Sequence, residues 1–350
     1  MFGKISFCLS AALLVCGPAE ADLLGAAAKT GSDRLLNWTA TNTMKEDPSL
    51  AALQAFVSSS SRLGFSVTDP TYGRSGFTLG KLTLRPTAGF DSNANGGNAS
   101  THLDLGNGRG FQFAESSLAQ GAFMTGLAVS MSARLDYGRG AYVTARAGGS
   151  AEVAPESGLV KTSLNMDICS SSHITGWTFF DLCASKRTTH KELSTSETAE
   201  FSAAVDQVFN AFDRPMEASL RAFRSNQSGA WTPGIGLSLA AVIDAQNSVS
   251  FGVEQELQQT GHAYERYKLS LGLNTRIAKR EFRFNVSQKE TAGATILGIG
   301  HTDITRTASI STRIGKIGMI SLSYENTDST MSFFDAEGFS GAVEIFSMKF

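Results

Sequence analysis

Seven arginines, Arg85, Arg134, Arg146, Arg221, Arg276, Arg283 and Arg313, lie in segments where apolar and polar residues alternate. Each sits on the polar parity of its segment. Asp91, Asp136, Glu152, Glu217, Glu254 and Glu325 occupy the same parity. Guanidinium groups on one face of an extended chain can line a wet passage and select anions, as charged rings do in channels. They can equally pair with the neighbouring acids and fill that passage with salt bridges. The sequence leaves both readings open for the positive side chains and for their partners, Asp136 and Glu254 first among them.

Other chemistry finds less support. The chain has four cysteines. Two lie in the apolar N-terminal stretch, leaving Cys169 and Cys183, which flank a turn at 174–177. An even pair in an exported protein reads as a disulfide. Pairing across that hairpin sets them opposite each other if Gly176 is its centre. Metal binding is not expected, because His173 is the only soft ligand nearby and a site wants about four. None of the five histidines is followed two residues later by a Ser, the His-x-Ser spacing expected of an outer-membrane hydrolase. His301-Thr302-Asp303 is the nearest approach. Neither an enzyme nor a cofactor is expected.

The arginines need strands to carry them. Leu127, Val129, Met131, Ala133, Leu135 and Tyr137 alternate with Ala128, Ser130, Ser132, Arg134 and Asp136. Tyr267, Leu269, Leu271, Leu273 and Ile277 alternate with Lys268, Ser270, Gly272, Asn274 and Arg276. This two-residue period recurs from residue 80 onward and is that of a strand with unlike faces. Tight turns are expected near 138–140, 174–177, 212–215, 244–247, 278–281 and 315–316, about 32 to 38 residues apart, the length of two membrane strands and a loop. Longer polar stretches at 92–120, 154–160, 188–197, 226–233, 258–265, 289–302 and 328–338 are expected to be loops. Six turns and seven loops join fourteen strands, and only 111–113 is a candidate for an addition. The prediction is a closed antiparallel transmembrane β-barrel.

The remainder of the chain fits that class. Only 18% of residues are charged, the net charge is -2, and mean hydropathy is -0.06. That balance argues against a nucleic-acid partner. Residues 1–21 read as a secretory signal: Lys4, an apolar run, then Ala19-Glu20-Ala21. A lipidated Cys16 is disfavoured because Val15 is not small. Residues 22–79 read as a helical or linker segment, lying in the periplasm or plugging the lumen, ahead of a barrel at 80–350. Within it Ser32-Asp33-Arg34-Leu35-Leu36 opens one short helix. Asp47-Pro48 is expected to start another, with Leu50, Leu53, Phe56 and Val57 on one face.

The C-terminal strand alternates Phe346, Met348 and Phe350 with Ser347 and Lys349. It resembles the aromatic C-terminal signal of bacterial outer-membrane barrels, which implies insertion by the barrel-assembly machinery into outer-membrane lipid. The first strand reads Pro86-Thr87-Ala88-Gly89-Phe90-Asp91-Ser92-Asn93-Ala94-Asn95. This opening, with Asp91, Ser92 and Asn93 at its end, resembles the barrel of surface lipoprotein assembly modifiers. That resemblance implies a fourteen-stranded barrel helping to export a client lipoprotein. The tetratricopeptide domain of those proteins is missing, since residues 22–79 are too short for two 34-residue repeats. The leading expectation is a pore for small polar or anionic solutes, with the client-lipoprotein role as the alternative. Deleting Phe350 should slow membrane insertion and leave exported chain in the periplasm. Pulse-chase of heat-modifiable folded barrel checks this, and unchanged folding yield and rate would remove the aromatic's assigned role.

Overall fold

The computed structural model describes residues 23–66, 74–80, 82–106, 109–227, 229–258, 262–278, 280–296, 299–314, 318–345, 348 and 349. The expected signal peptide, Phe346, Phe350 and the turn at 315–316 lie outside these. Three helices come first: α1 (Leu23–Thr30), α2 (Asp33–Glu46) and α3 (Leu50–Arg62). The strands are β1 (Arg74–Leu79), β2 (Thr83–Asp91), β3 (His102–Gly106), β4 (Arg109–Gln112), β5 (Ala122–Gly138), β6 (Ala141–Val153), β7 (Val160–Thr175), β8 (Thr178–His190) and β9 (Thr195–Ala211). They continue as β10 (Arg214–Gln227), β11 (Ala230–Val242), β12 (Ser248–Glu256), β13 (Tyr264–Ile277), β14 (Arg280–Ile296), β15 (Ile299–Ile314), β16 (Gly318–Ser329), β17 (Ala336–Ile345) and β18 (Met348–Lys349).

β1 and β2 follow one another along β5, and β17 and β18 follow one another along β2. Each couple therefore forms one wall strand. With β5 to β16 they close a barrel of fourteen antiparallel strands. Closure through β2 and β17 pairs the sheet's two ends, which is what lipid demands of a spanning sheet, while β1 is held by β5 alone. The wall thus begins at Arg74, six residues before the boundary set from sequence at 80. The 111–113 stretch adds nothing to the wall, because β3 and β4 pair only with each other.

The turns fall where the punctuating residues put them. Phe212 and Asp213 both take left-handed backbone angles, φ 52° and 57°, between β9 and β10. That suits the mirror-image turns that match strand twist. Asp244 Oδ1 accepts from the backbone N–H groups of Gln246 and Asn247 and fixes the next turn. Burial opposes its ionisation, but these bonds and the Asn247 amide outweigh that and hold its carboxyl below the usual range. Several expected loops are shorter than predicted. Residues 226–233 and 289–302 belong almost wholly to strands, as β10 and β11, and β14 and β15, run on as paired ribbons.

The helices differ from expectation in three ways. Leu23–Thr30 forms a third helix that was not foreseen. Asp47 does not start α3. Its N–H donates to Thr43 O and closes α2, while Ser49 Oγ accepts from Ala52 N and caps α3. The face carrying Leu50 and Leu53 is not buried: they are 71% and 48% exposed, and α3 packs through Ala52, Ser59 and Ser60 instead. Asn37 on α2 donates to the hydroxyls of Ser59 and Ser60 at 2.9 and 2.7 Å, adding a polar clasp to the apolar contact that Phe56 of the expected face still makes beside Ala52 and Ala55.

Cys169 and Cys183 are bonded, and they face each other in the β7–β8 register. The hairpin already has a ladder on both sides of the bridge, so little chain entropy remains to be removed. Replacing both cysteines by serine should therefore cost less than the ~2–4 kcal/mol usual for disulfides. Urea unfolding of the reconstituted barrel, with and without the substitutions, measures that difference.

Candidate functional site

The lumen is the candidate site, and its turn-side end is filled from the N-terminus. Leu24, Ala26, Ala27, Leu35, Leu36 and Ala40 of the first two helices form one apolar core with Phe179, Val208 and Val242 of the wall. Trp38 meets Trp177 edge-on at 4.7 Å and donates to Asn210 Oδ1 at 2.7 Å. α1 lies against β11, β12 and β13, and α2 against β9 and β10. The segment is therefore a plug.

One side chain ties plug to wall. Ser32 caps α2 by accepting from Leu35 N, so Arg34 sits in the first turn and points outward into the barrel wall. Its Nη2 is 2.6 Å from Asp181 Oδ1, and its Nη1 is 2.6 Å from Asp206 Oδ2 and 3.7 Å from Glu217 Oε1. The guanidinium also lies over the Phe179 ring at 4.7 Å. All four charged side chains are largely buried. Burial works against the cation, but Asp181 and Asp206 outweigh it and hold the Arg34 guanidinium more firmly charged than in water. Asp181, Asp206 and Glu217 come from β8, β9 and β10, so one helix residue clamps three adjacent strands. Of these four residues, sequence reading placed only Glu217 in the lumen. An arginine among the apolar residues of a helix was the available signal.

Further along the lumen the charges form rows. Arg221 Nη1 and Nη2 bind Glu200 at 2.9 Å and Glu254 at 2.8 Å, and Lys268 Nζ binds Glu254 at 2.9 Å. Arg221 and Glu254 lie on β10 and β12, with Gly236 of β11 in register between them. A Cβ at Gly236 would stand 3.3 Å from Glu254 Cγ, so the glycine leaves the Glu254 side chain its room between the strands. Arg134 pairs with Asp136 at 2.6 Å and stacks on Tyr142 at 3.9 Å. Arg85 pairs with Glu344 at 2.9 Å. Arg146 shares a recess of about 500 Å³ with Arg85 and Asp167.

Arg276, Arg283 and Arg313 differ. They lie on the adjoining strands β13, β14 and β15 at the turn-side end, and all are exposed. Arg283 donates to Asn274 Oδ1 at 2.9 Å. Glu281 stands across the register from Arg276. Among the described residues none of the three arginines has a carboxylate within 4.0 Å. Packing of the helical segment on the wall runs from β9 to β13, with Arg134 of β5 on Arg62 O and His173 of β7 on Phe65 extending it, so β13 carries both plug contacts and Arg276.

The loop-side end has its own cluster. Lys161 and Lys191 both reach Asp91 Oδ2, at 2.8 and 3.1 Å. Neither lysine was singled out from sequence. The Asp91-Ser92-Asn93 motif builds a turn: Asp91 Oδ1 accepts from Asn93 N, and Asn93 bonds Gly97 through both side-chain atoms. Ser92 Oγ accepts from Phe339 N across the barrel seam. His301 is engaged by Asp303 at 2.9 Å and stacks on Phe334 at 4.2 Å.

No family model and no curated protein matches the chain. The resemblance to surface lipoprotein assembly modifiers therefore stays confined to residues 86–95, and the client-lipoprotein alternative has no support. Among solved structures, OccK2 (OpdF) of Pseudomonas aeruginosa superposes with a TM-score of 0.42 at 7% identity, over 77% of this chain and 98% of that one. The outer membrane protein OprD of the same organism gives 0.42 at 6%, over 78% and 94%. OccAB3 of Acinetobacter baumannii gives 0.39 at 9%, over 78% and 99%. Likeness at this level assigns no family.

Arg34→Met should strand three buried carboxylates without their cation, a loss of about 3–5 kcal/mol in plug docking. Limited proteolysis of the folded barrel should then cut within residues 23–62, where the parent resists. Equal resistance would show that the apolar core alone seats the helices.

Proposed function

We propose that this chain is a channel of the bacterial outer membrane for small polar solutes, with anions favoured. The observation that carries the reading is the row of exposed arginines, Arg276, Arg283 and Arg313, on the lumen parity of three successive strands, with no carboxylate within 4.0 Å among the described residues. The outward residues support the membrane setting. Leu127, Leu135, Ile168, Leu182, Leu220, Leu237 and Leu271 are exposed along the outer wall, as a lipid-facing band requires. Charged side chains on that face would cost ~2–4 kcal/mol each at the midplane, so the charges are turned inward.

The inward charges fall into two groups. Arg85, Arg134 and Arg221 are neutralised by Glu344, Asp136 and by Glu200 and Glu254. These pairs brace the lumen and contribute little net field. Arg276, Arg283 and Arg313 keep their positive charge facing the water path. A solute anion entering there exchanges hydration for guanidinium hydrogen bonds, which a cation cannot do. No catalytic role is proposed for any residue.

Planar-bilayer recording tests the reading. The parent should conduct, with anion permeability above cation permeability. Replacing Arg276, Arg283 and Arg313 together by serine should lower the anion-to-cation ratio at least two-fold. Arg134→Ser combined with Asp136→Asn should leave the ratio nearly unchanged, because that pair carries no net charge to begin with. Absence of any current from the folded parent would overturn the channel assignment, and an unaltered ratio in the triple variant would overturn the role of these arginines.

A further inference from the structure

The lipid-facing wall carries a furrow of about 600 Å³ across β8, β9 and β10. It arises because the outward positions Ala184, Ala203 and Ala222 are small, while Ile168, Leu182 and Phe201 stand tall beside them. The register sets Leu182 against Ala203, Ala203 against Ala222, and Ala184 against Phe201. A smooth lipid-facing wall would need no such depression.

The loop-side end of the furrow is basic and aromatic. Arg224 lies directly across from Phe201 and also lines the furrow. Lys186 lies on β8, two residues beyond Ala184 and across from Ala199. The Phe201 and Trp231 rings pack at 5.3 Å, and paired aromatics of this kind mark the level where acyl chains give way to headgroups. The two cations therefore stand at headgroup height, with the apolar furrow running into the membrane below.

The charge here is in surplus. Among the described residues Arg224 has no carboxylate within ion-pair reach. Lys186 has only Glu197 at 3.6 Å, with both side chains about three-fifths exposed, a pairing of little strength. The outward loop-side cations elsewhere are closely held: Arg266 by Glu290 at 2.5 Å, and Arg306 by Asp328. The furrow thus couples an exposed apolar surface to positive charge at the right depth for a phosphate.

We propose that the furrow binds a phosphorylated, multiply acylated glycolipid of the loop-side leaflet. One acyl chain lies over Ala184, Ala203 and Ala222, and a sugar phosphate sits between Arg224 and Lys186. The proposal rests on the outer-membrane reading, which places such a lipid in that leaflet.

Native mass spectrometry of the barrel, reloaded in mild detergent with purified lipopolysaccharide or with phosphatidylglycerol, tests it. The parent should retain lipopolysaccharide in preference. Ala203→Leu with Ala222→Leu, which fills the furrow, should cut retention at least five-fold. So should Arg224→Ser with Lys186→Ser, which keeps the furrow and removes the charge. Glu197→Gln frees Lys186 and should raise retention. Heat-modifiable migration confirms that each variant is folded. Unchanged retention in both double variants, or equal retention of phosphatidylglycerol, overturns the proposal. So does an oligomer that dissociates on furrow filling without loss of lipid, since the furrow would then hold a second copy. Arg224 and Lys186 face away from the lumen, so conductance of their double variant should match the parent. A barrel that binds lipid but passes no current would fail as a channel and not as a lipid site.

Discussion

Three carboxylates on neighbouring strands, Asp181, Asp206 and Glu217, face one another inside a wall that lipid surrounds. Such a group cannot stay ionised and dry without a cation, and among the described residues the wall places none within ion-pair reach. Arg34 arrives from a helix and meets all three. This single requirement explains much of the N-terminal architecture. The Ser32 cap sets the start of α2 and so the aim of Arg34. The apolar stripe of Leu35, Leu36 and Ala40 then falls against Val208 and Val242. The clasp between Asn37 and Ser59 and Ser60 folds α3 back beneath. The helices fill the turn-side lumen along β9 to β13, and Arg276, Arg283 and Arg313 stand exposed on β13 to β15.

The wall itself was legible in the sequence. Lipid contacts every second residue of a barrel strand, so Leu127 to Tyr137 and Tyr267 to Ile277 had to alternate as they do. The turns were legible because Gly140, Gly176, Asp244 and Asn247 each answer a local backbone demand. Loop lengths were not. Polarity at 226–233 and 289–302 marks where the membrane ends, while the backbone ladder continues past it. Polar composition reports the solvent, not the end of pairing.

The plug's grip was also illegible, for a different reason. Arg34 and its partners are separated by 147 residues to Asp181 and 172 to Asp206. Periodicity within a segment carries no information at that range. The Asp47-Pro48 start signal misled because Asp47 answers the end of the preceding helix, leaving Ser49 as the nearest free hydroxyl for the next. Parity assigns the arginines a face, but it cannot tell Arg134, paired two residues away with Asp136, from Arg276, which has no carboxylate within 4.0 Å among the described residues. Net field depends on cross-strand register, and register is a property of the closed cylinder.

Gly236 gives the barrel a design freedom that its strand count does not. Because β11 contributes no side chain at that level, Arg221 spans from β10 to Glu254 on β12. The brace is a chord two strands long, drawn tight across the inner surface, with Lys268 extending it to β13. Which strand goes bare, and at what height, therefore decides which strands a brace can couple. A side chain placed at 236 would act on that coupling through Glu254 and not on any solute.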